Sequence, residues 1–208
     1  MGLIVMSVKR DIEKGGLMNT YIYMVRHGES PKLEGDERTR GLTEKGILDA
    51  RRVTEILETE GINTFISSPY KRAMLTIEKA ANYHEKEIVV YENLKECRFL
   101  SEDKIISDKE VYPLVKKMFS NPDFTLTGGE SYADCQRRVV RVLKEILMDF
   151  QGHKIVIGTH GLVMTLMMNY FDNQYGLEFL MNTSKPDIYK LEFKEEQFMN
   201  VERLWREE

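Results

Sequence analysis

The chain has 208 residues, one domain's worth at roughly 150 residues per domain, with room for a small insertion. Lys and Arg total 30 against 34 Asp and Glu, a net charge of -4, with 42% hydrophobic and 31% charged residues. These values exclude collagen-like, disordered and disulfide-scaffold classes, and the mild acidity argues against a nucleic-acid partner held through backbone phosphates.

Met1 to Thr20 carry neither a helix nor a strand period and are expected to be a poorly ordered or non-native extension, residues 1–20, ahead of a single domain over residues 21–208. The run Glu13-Lys14-Gly15-Gly16-Leu17-Met18 could be encoded by a bacterial ribosome-binding site, which makes Met18 the expected translation start. The apolar run Leu3 to Met6 is too short for a signal peptide, and Met6 stands where a myristoylation signal requires Ser or Thr.

Residues 21–25 are continuously apolar, the pattern of a strand buried on both faces. Thr43 then reads as a helix N-cap with Leu42 stapled to Ile47, and Ile47, Ala50, Val53, Thr54 and Leu57 share one face of a helix that Gly61 ends. Residues 64–67 form a second strand; Ser68-Pro69 predicts the next helix, Ser as cap and Pro at the first helical position. Residues 88–90 are a third strand. The charged, irregular stretch 94–129, helical only around 109–119, is expected to be an inserted lid. Residues 131–150 predict an amphipathic helix with Tyr132, Cys135, Val139, Val142, Ile146 and Phe150 on one face. A fourth strand over 154–158 and a helix over 162–171 follow, then a terminal hairpin of 187–193 and 198–204. Strands alternating with helices give an α/β fold: a three-layer α/β/α sandwich with a mostly parallel central sheet and a small helical lid insertion.

Two cysteines, Cys97 and Cys135, make no disulfide framework and point to a reducing compartment, the cytoplasm. No apolar run reaches the roughly 18 residues of a membrane span; the longest, Leu162 to Met168, contains Thr165. No membrane partner is therefore expected.

In parallel α/β sheets, ligands bind beyond the carboxyl ends of the strands. The first strand ends in Arg26-His27-Gly28-Glu29-Ser30, the second in Ser67-Ser68-Pro69-Tyr70-Lys71-Arg72, and the fourth in Thr159-His160-Gly161. Parallel strands aim Arg26, His27, Arg72 and His160 at one pocket. The planar donor fork of arginine fits phosphate oxygens, and a neutral histidine, its proton affinity lowered by flanking arginines, can attack phosphorus.

These stretches, with Leu42-Thr43-Glu44-Lys45-Gly46, Arg72-Ala73, Thr76, Leu94-Lys95-Glu96 and Gly129-Glu130-Ser131, resemble in order the histidine phosphatase superfamily, the phosphoglycerate-mutase-like proteins. The resemblance implies His27 as the nucleophile that becomes phosphohistidine, and Arg26, Arg72 and His160 as the groups that hold the phosphoryl group. It implies Glu96 as the general acid and then base, and neither metal nor other cofactor. Ser30, Lys32 and Arg40 are the further substrate-binding candidates. Many members carry Asn six residues after the nucleophile; here that position is Leu33, and Lys32, Arg38 or Arg40 would take its part. The implied activity is metal-independent hydrolysis of small-molecule phosphate monoesters. The loop 31–41, shorter than in the mutases, favours a phosphatase over a phosphoglycerate-type mutase. The stretch Arg40-Gly41-Leu42-Thr43 keeps a phosphohistidine-protein phosphatase in play, and a non-catalytic module binding phosphorylated ligands is the alternative from another class.

Ordinary roles account for other residues. Ser67 reads as a strand end, Glu130 as a helix-start carboxylate, His84 and His153 as solvated, and Met164, Met167 and Met168 as helix core. The lid cations Lys104, Lys109, Lys116 and Lys117 read as solvated. Cys135 and Arg141 have the Cys-x5-Arg spacing of cysteine phosphatases, but lie within a helix without glycine. A metal site of His27, His160 and Glu96 is disfavoured by adjacent Arg26. A homodimer is an open expectation, through the terminal hairpin and the Trp205 region.

Overall fold

The structure is a computed structural model and describes residues 18–31, 35–100 and 108–206. The elements are β1 Asn19–Arg26, α1 Glu44–Glu58, β2 Thr64–Ser67, α2 Lys71–Tyr83, β3 Ile88–Val90, a 3-10 turn Glu92–Leu94, α3 Asp108–Ser120, α4 Tyr132–Asp149, β4 Lys154–Thr159, α5 Gly161–Phe171, α6 Leu177–Asn182, β5 Asp187–Lys194 and β6 Gln197–Arg203. They form a six-stranded sheet in the order β3-β2-β4-β1-β5-β6, helices covering both faces. β3, β2, β4 and β1 run parallel, and β5 pairs antiparallel with β1 and with β6.

The period of two along β1 divides the core. Ile22 and Met24 face α4 and α5, meeting Leu143, Ile146, Val163 and Met167. Tyr23 and Val25 face α1 and α2, meeting Val53, Leu57 and Ile77. Each fully buried side chain of this size contributes about 1.5–3 kcal/mol. Both faces being covered explains why the central strands are apolar throughout rather than alternating.

Several elements differ from the sequence reading. β1 starts at Asn19 and Thr20 is buried, so the end of the expected tail belongs to the sheet; residues 1–17 lie outside the described residues. Thr43 caps α1 as expected, its hydroxyl accepting from Gly46 N, but Ile47 is 44% exposed while Asp49 is buried and paired with Lys45. Ser68 is not a helix cap: α2 begins two residues later, with Tyr70 at the cap position. The expected lid contributes α3, anchored by buried Val115 and Met118; residues 101–107, Lys104 among them, lie outside the described residues, as does the side chain of Lys109. Trp205 is buried under Arg52 against the α1–α2 face, so it offers no surface to a second copy. Among the described residues no helix is long and apolar enough to cross a membrane.

Candidate active site

Register places the chemistry. Arg26, the last residue of β1, lies opposite Thr159, the last of β4, and Ser67, the last of β2, lies opposite Gly158. The next residues, His27, His160 and Ser68, therefore leave the sheet at one level. Two further bonds extend the ladder: His27 N donates to Thr159 O at 3.0 Å and Ser68 N to Gly158 O at 2.9 Å.

His27 is 7% exposed. Its Nδ1–H donates to the Gly28 carbonyl at 2.7 Å, which assigns the tautomer and leaves the lone pair on Nε2. That lone pair accepts from Arg72 Nε at 3.1 Å. Burial, then the charge of Arg72 and that of Arg26, holds His27 well below the ordinary histidine pKa, against the opposing pull of the Gly28 carbonyl. The ring is neutral at physiological pH, the state a nucleophile needs.

His160, fully buried, stands edge-on to His27 with ring centroids 5.3 Å apart. Its Nε2 is 2.7 Å from Ser68 Oγ, and its Nδ1 has no hydrogen-bond partner among the described residues. Burial and then Arg72 depress its pKa too. Arg72 is 1% exposed on the first turn of α2 and lies over the Tyr70 ring. Arg26 is held by Thr183, its Nη1 donating to the carbonyl at 2.8 Å and to the hydroxyl, while its buried Nε is unpartnered among the described residues. The guanidinium lies against the start of α5: a Cβ at Gly161 would come within 2.8 Å of Arg26 Cζ, so a side chain there would displace the guanidinium.

Ser30 and Arg40 join the site from the loop after β1. Arg40 Nη1 donates to Ser30 Oγ at 3.0 Å, and Ser30 Oγ donates to Gly41 O at 2.6 Å. Lys32 and Leu33 lie outside the described residues. Arg38, the other candidate in this loop, is turned away into an ion pair with Glu92.

Glu96 lies within electrostatic reach of Arg26 and Arg72. It accepts from Cys97 N at 2.9 Å and from Leu162 N and Val163 N at the start of α5. Burial raises its pKa despite those bonds and the arginine charges, so protonation comes more easily than for an ordinary glutamate. Glu130, one residue before the Ser131 cap of α4, grips Arg138 with both oxygens. Cys97, Glu130 and Cys135 are a group of potential metal ligands, but Arg138 also touches Cys135 Sγ and fills that space with a cation. Among the described residues His27, His160 and Glu96 form no such group. Of the other histidines, His153 is exposed, whereas His84 is half-buried against the Leu57 carbonyl rather than solvated.

The structure also brings in residues the sequence did not mark: Glu37, Tyr70 and Thr183 beside the arginines, and Ser68 beside His160. A Ser directly after a strand end gave a signal, but its spacing fitted a helix cap equally well.

The profile of the histidine phosphatase superfamily (branch 1) matches residues 22–205. The chain belongs to this superfamily. A bifunctional protein of Mycobacterium tuberculosis is 26% identical over 152 residues, covering 68% of this chain and 41% of that protein. The chain thus spans less than half the length of that curated relative. A probable phosphoglycerate mutase of Enterobacter sp. strain 638 is 26% identical over 157 residues, 71% of this chain and 73% of the relative. The solved mycobacterial glucosyl-3-phosphoglycerate phosphatase superposes with a TM-score of 0.71 at 16% identity, over 89% of this chain and 97% of that one, which establishes a shared fold.

Proposed function

We propose that this histidine phosphatase superfamily member is a metal-independent phosphatase that hydrolyses phosphate monoesters of small molecules through phosphohistidine on His27. The observation that carries the reading is the nucleophile's geometry. His27 is fixed through Nδ1 on the Gly28 carbonyl, with its Nε2 lone pair turned to Arg72. Buried donors without a partner among the described residues stand on the same residues that surround it: Arg26 Nε, Arg40 Nε and His160 Nδ1. Phosphoryl oxygens are the acceptors that such a set fits.

In this mechanism Nε2 of His27 attacks phosphorus in line with the ester oxygen. Arg26, Arg72 and Arg40 take the charge of the equatorial oxygens, with His160 donating from Nδ1. Glu96, protonated more readily than usual because of its burial, gives its proton to the departing oxygen. The carboxylate then takes a proton from water, which attacks phosphohistidine and frees inorganic phosphate and His27. The short loop between β1 and α1 favours water over a retained second substrate as the acceptor.

The test is phosphate release from an aryl phosphate in excess EDTA across mildly acidic to mildly basic pH, with His27→Ala alongside. EDTA-resistant activity that the variant lacks is the expected result. Turnover by His27→Ala near the wild-type rate, or activity that EDTA abolishes, refutes the mechanism. Phosphate binding without turnover of any phosphate ester would mark a binding module.

A further inference from the structure

Glu37 lies where an anion belongs. Both its carboxylate oxygens accept from Arg40 Nη2, at 3.0 and 2.9 Å, and Oε2 also accepts from Arg72 Nη2 at 2.9 Å. A carboxylate bridging two guanidiniums presents oxygens much as a bound phosphoryl group would. We propose that Glu37 is the resident counter-anion of the phosphate site, displaced by an incoming phosphoryl group and returning to expel the product phosphate. The inference rests on the phosphoryl-site reading above.

Three observations separate this role from simple positioning. First, the arginines are held without the carboxylate. Arg72 Nη1 donates to the backbone carbonyl of Glu37 at 2.5 Å, Arg72 Nε to His27, and its guanidinium lies over Tyr70. Arg40 is held by Ser30 Oγ. Second, the Glu37 side chain is 62% exposed, so rotation into water costs little. Third, the backbone beneath it is tied down. Asp36 Oδ1 accepts from Arg38 N, Thr39 N and Thr39 Oγ1, and Arg38 is clamped to Glu92 by two bonds. Displacement therefore needs a side-chain rotation and no opening of the loop.

The resting arrangement is closed twice over. Arg72 spends its Nε–H on the nucleophile's lone pair and its Nη2 on Glu37. A dianion that draws Arg72 toward its oxygens releases both at once: it frees Nε2 for attack and sends Glu37 outward. Glu37 thus sets how strongly an anion must bind before His27 becomes available.

The experiment is calorimetric titration of the full chain with inorganic phosphate, comparing wild type, Glu37→Gln and Glu37→Ala, with Arg72→Ala as the site control. Both Glu37 variants are expected to bind phosphate about fivefold more tightly, the scale of a largely exposed ion pair shared by two arginines. Steady-state inhibition by phosphate should strengthen by the same factor. Unchanged or weaker phosphate binding in both variants overturns the proposal and makes Glu37 a positioning residue. Wild type and Arg72→Ala binding phosphate equally would overturn the phosphoryl-site reading as well, because the ion would then sit elsewhere.

Discussion

Ser68→Ala tests how the second histidine is prepared. Ser68 Oγ accepts from Tyr70 N at 3.3 Å and meets His160 Nε2 at 2.7 Å, both side chains fully buried. Among the described residues the serine proton has no other hydrogen-bond acceptor, so it points at Nε2. His160 is thereby held as the Nδ1–H tautomer, with its donor free for a phosphoryl oxygen. Alanine removes that donor and strands a buried imidazole nitrogen. The stability cost is about 1–3 kcal/mol, and at this chain length each kcal/mol lowers Tm by about 2–4 °C. Once the tautomer is free, part of the population presents a lone pair to the phosphoryl oxygens. Complete loss of one such donor costs about 10²–10³ in kcat; a free tautomer retains part of it, so kcat/KM should fall about tenfold. The assay pairs thermal unfolding with kcat/KM on an aryl phosphate well below Tm. A drop in Tm with unchanged kcat/KM would make Ser68 purely structural, and no change in either would refute the bond.

Other substitutions and conditions test the remaining roles. Glu96→Gln should slow alkyl phosphates far more than aryl phosphates with good leaving groups; equal losses on both would place the acid elsewhere. In wild type the raised Glu96 pKa predicts an alkaline limb in kcat/KM on poor leaving groups, absent from the glutamine variant. Gly161→Ala should push the Arg26 guanidinium off the start of α5 and raise KM while the fold survives; an unchanged KM would show that Arg26 does not hold substrate. His27 and His160 have depressed pKa values in the fold, so stability is full above the unfolded value near 6.5 and declines as pH falls below it, because the unfolded chain takes up protons that the fold refuses. The slope is about 1.4 kcal/mol per pH unit for each histidine, and His27→Asn should remove one of the two contributions in urea unfolding between pH 7 and 5.

Local chemistry made much of this legible. The apolar runs of β1, β2 and β4 and the Thr43 cap were plain because a doubly covered sheet and a helix start each need a specific residue pattern. The convergence of Arg26, His27, Arg72 and His160 was legible because strand ends of one parallel sheet must converge. Ile47 was misplaced for a reason a helical wheel does not contain. A Cβ on Gly46 would collide with the Glu29 backbone, so α1 sits close against that loop, with Gly46, Asp49 and Val53 inward and Ile47 outward. Ser68 was misread because its true partner lies 92 residues away. The short α6 has no buried residue and so left no period to read. Glu37 is one charge in a polar loop until folding sets it on two arginines from different elements.

These pieces imply a pocket whose charge state depends on its occupant. At rest both histidines are neutral, so the positive charge resides on the arginines, part of it already answered by Glu37. An arriving dianion displaces that carboxylate and places new negative charge beside His160, which pushes the histidine's proton affinity up again. Ser68 suits either outcome, because a hydroxyl can donate to a neutral Nε2 or accept from a protonated one. His27 lacks that freedom: its Nδ1–H is committed to a backbone carbonyl, which leaves the lone pair on Nε2. The two histidines share burial and arginine neighbours. In the proposed mechanism, what divides nucleophile from phosphate ligand is the second partner of each ring, a fixed acceptor for one and a reversible hydroxyl for the other.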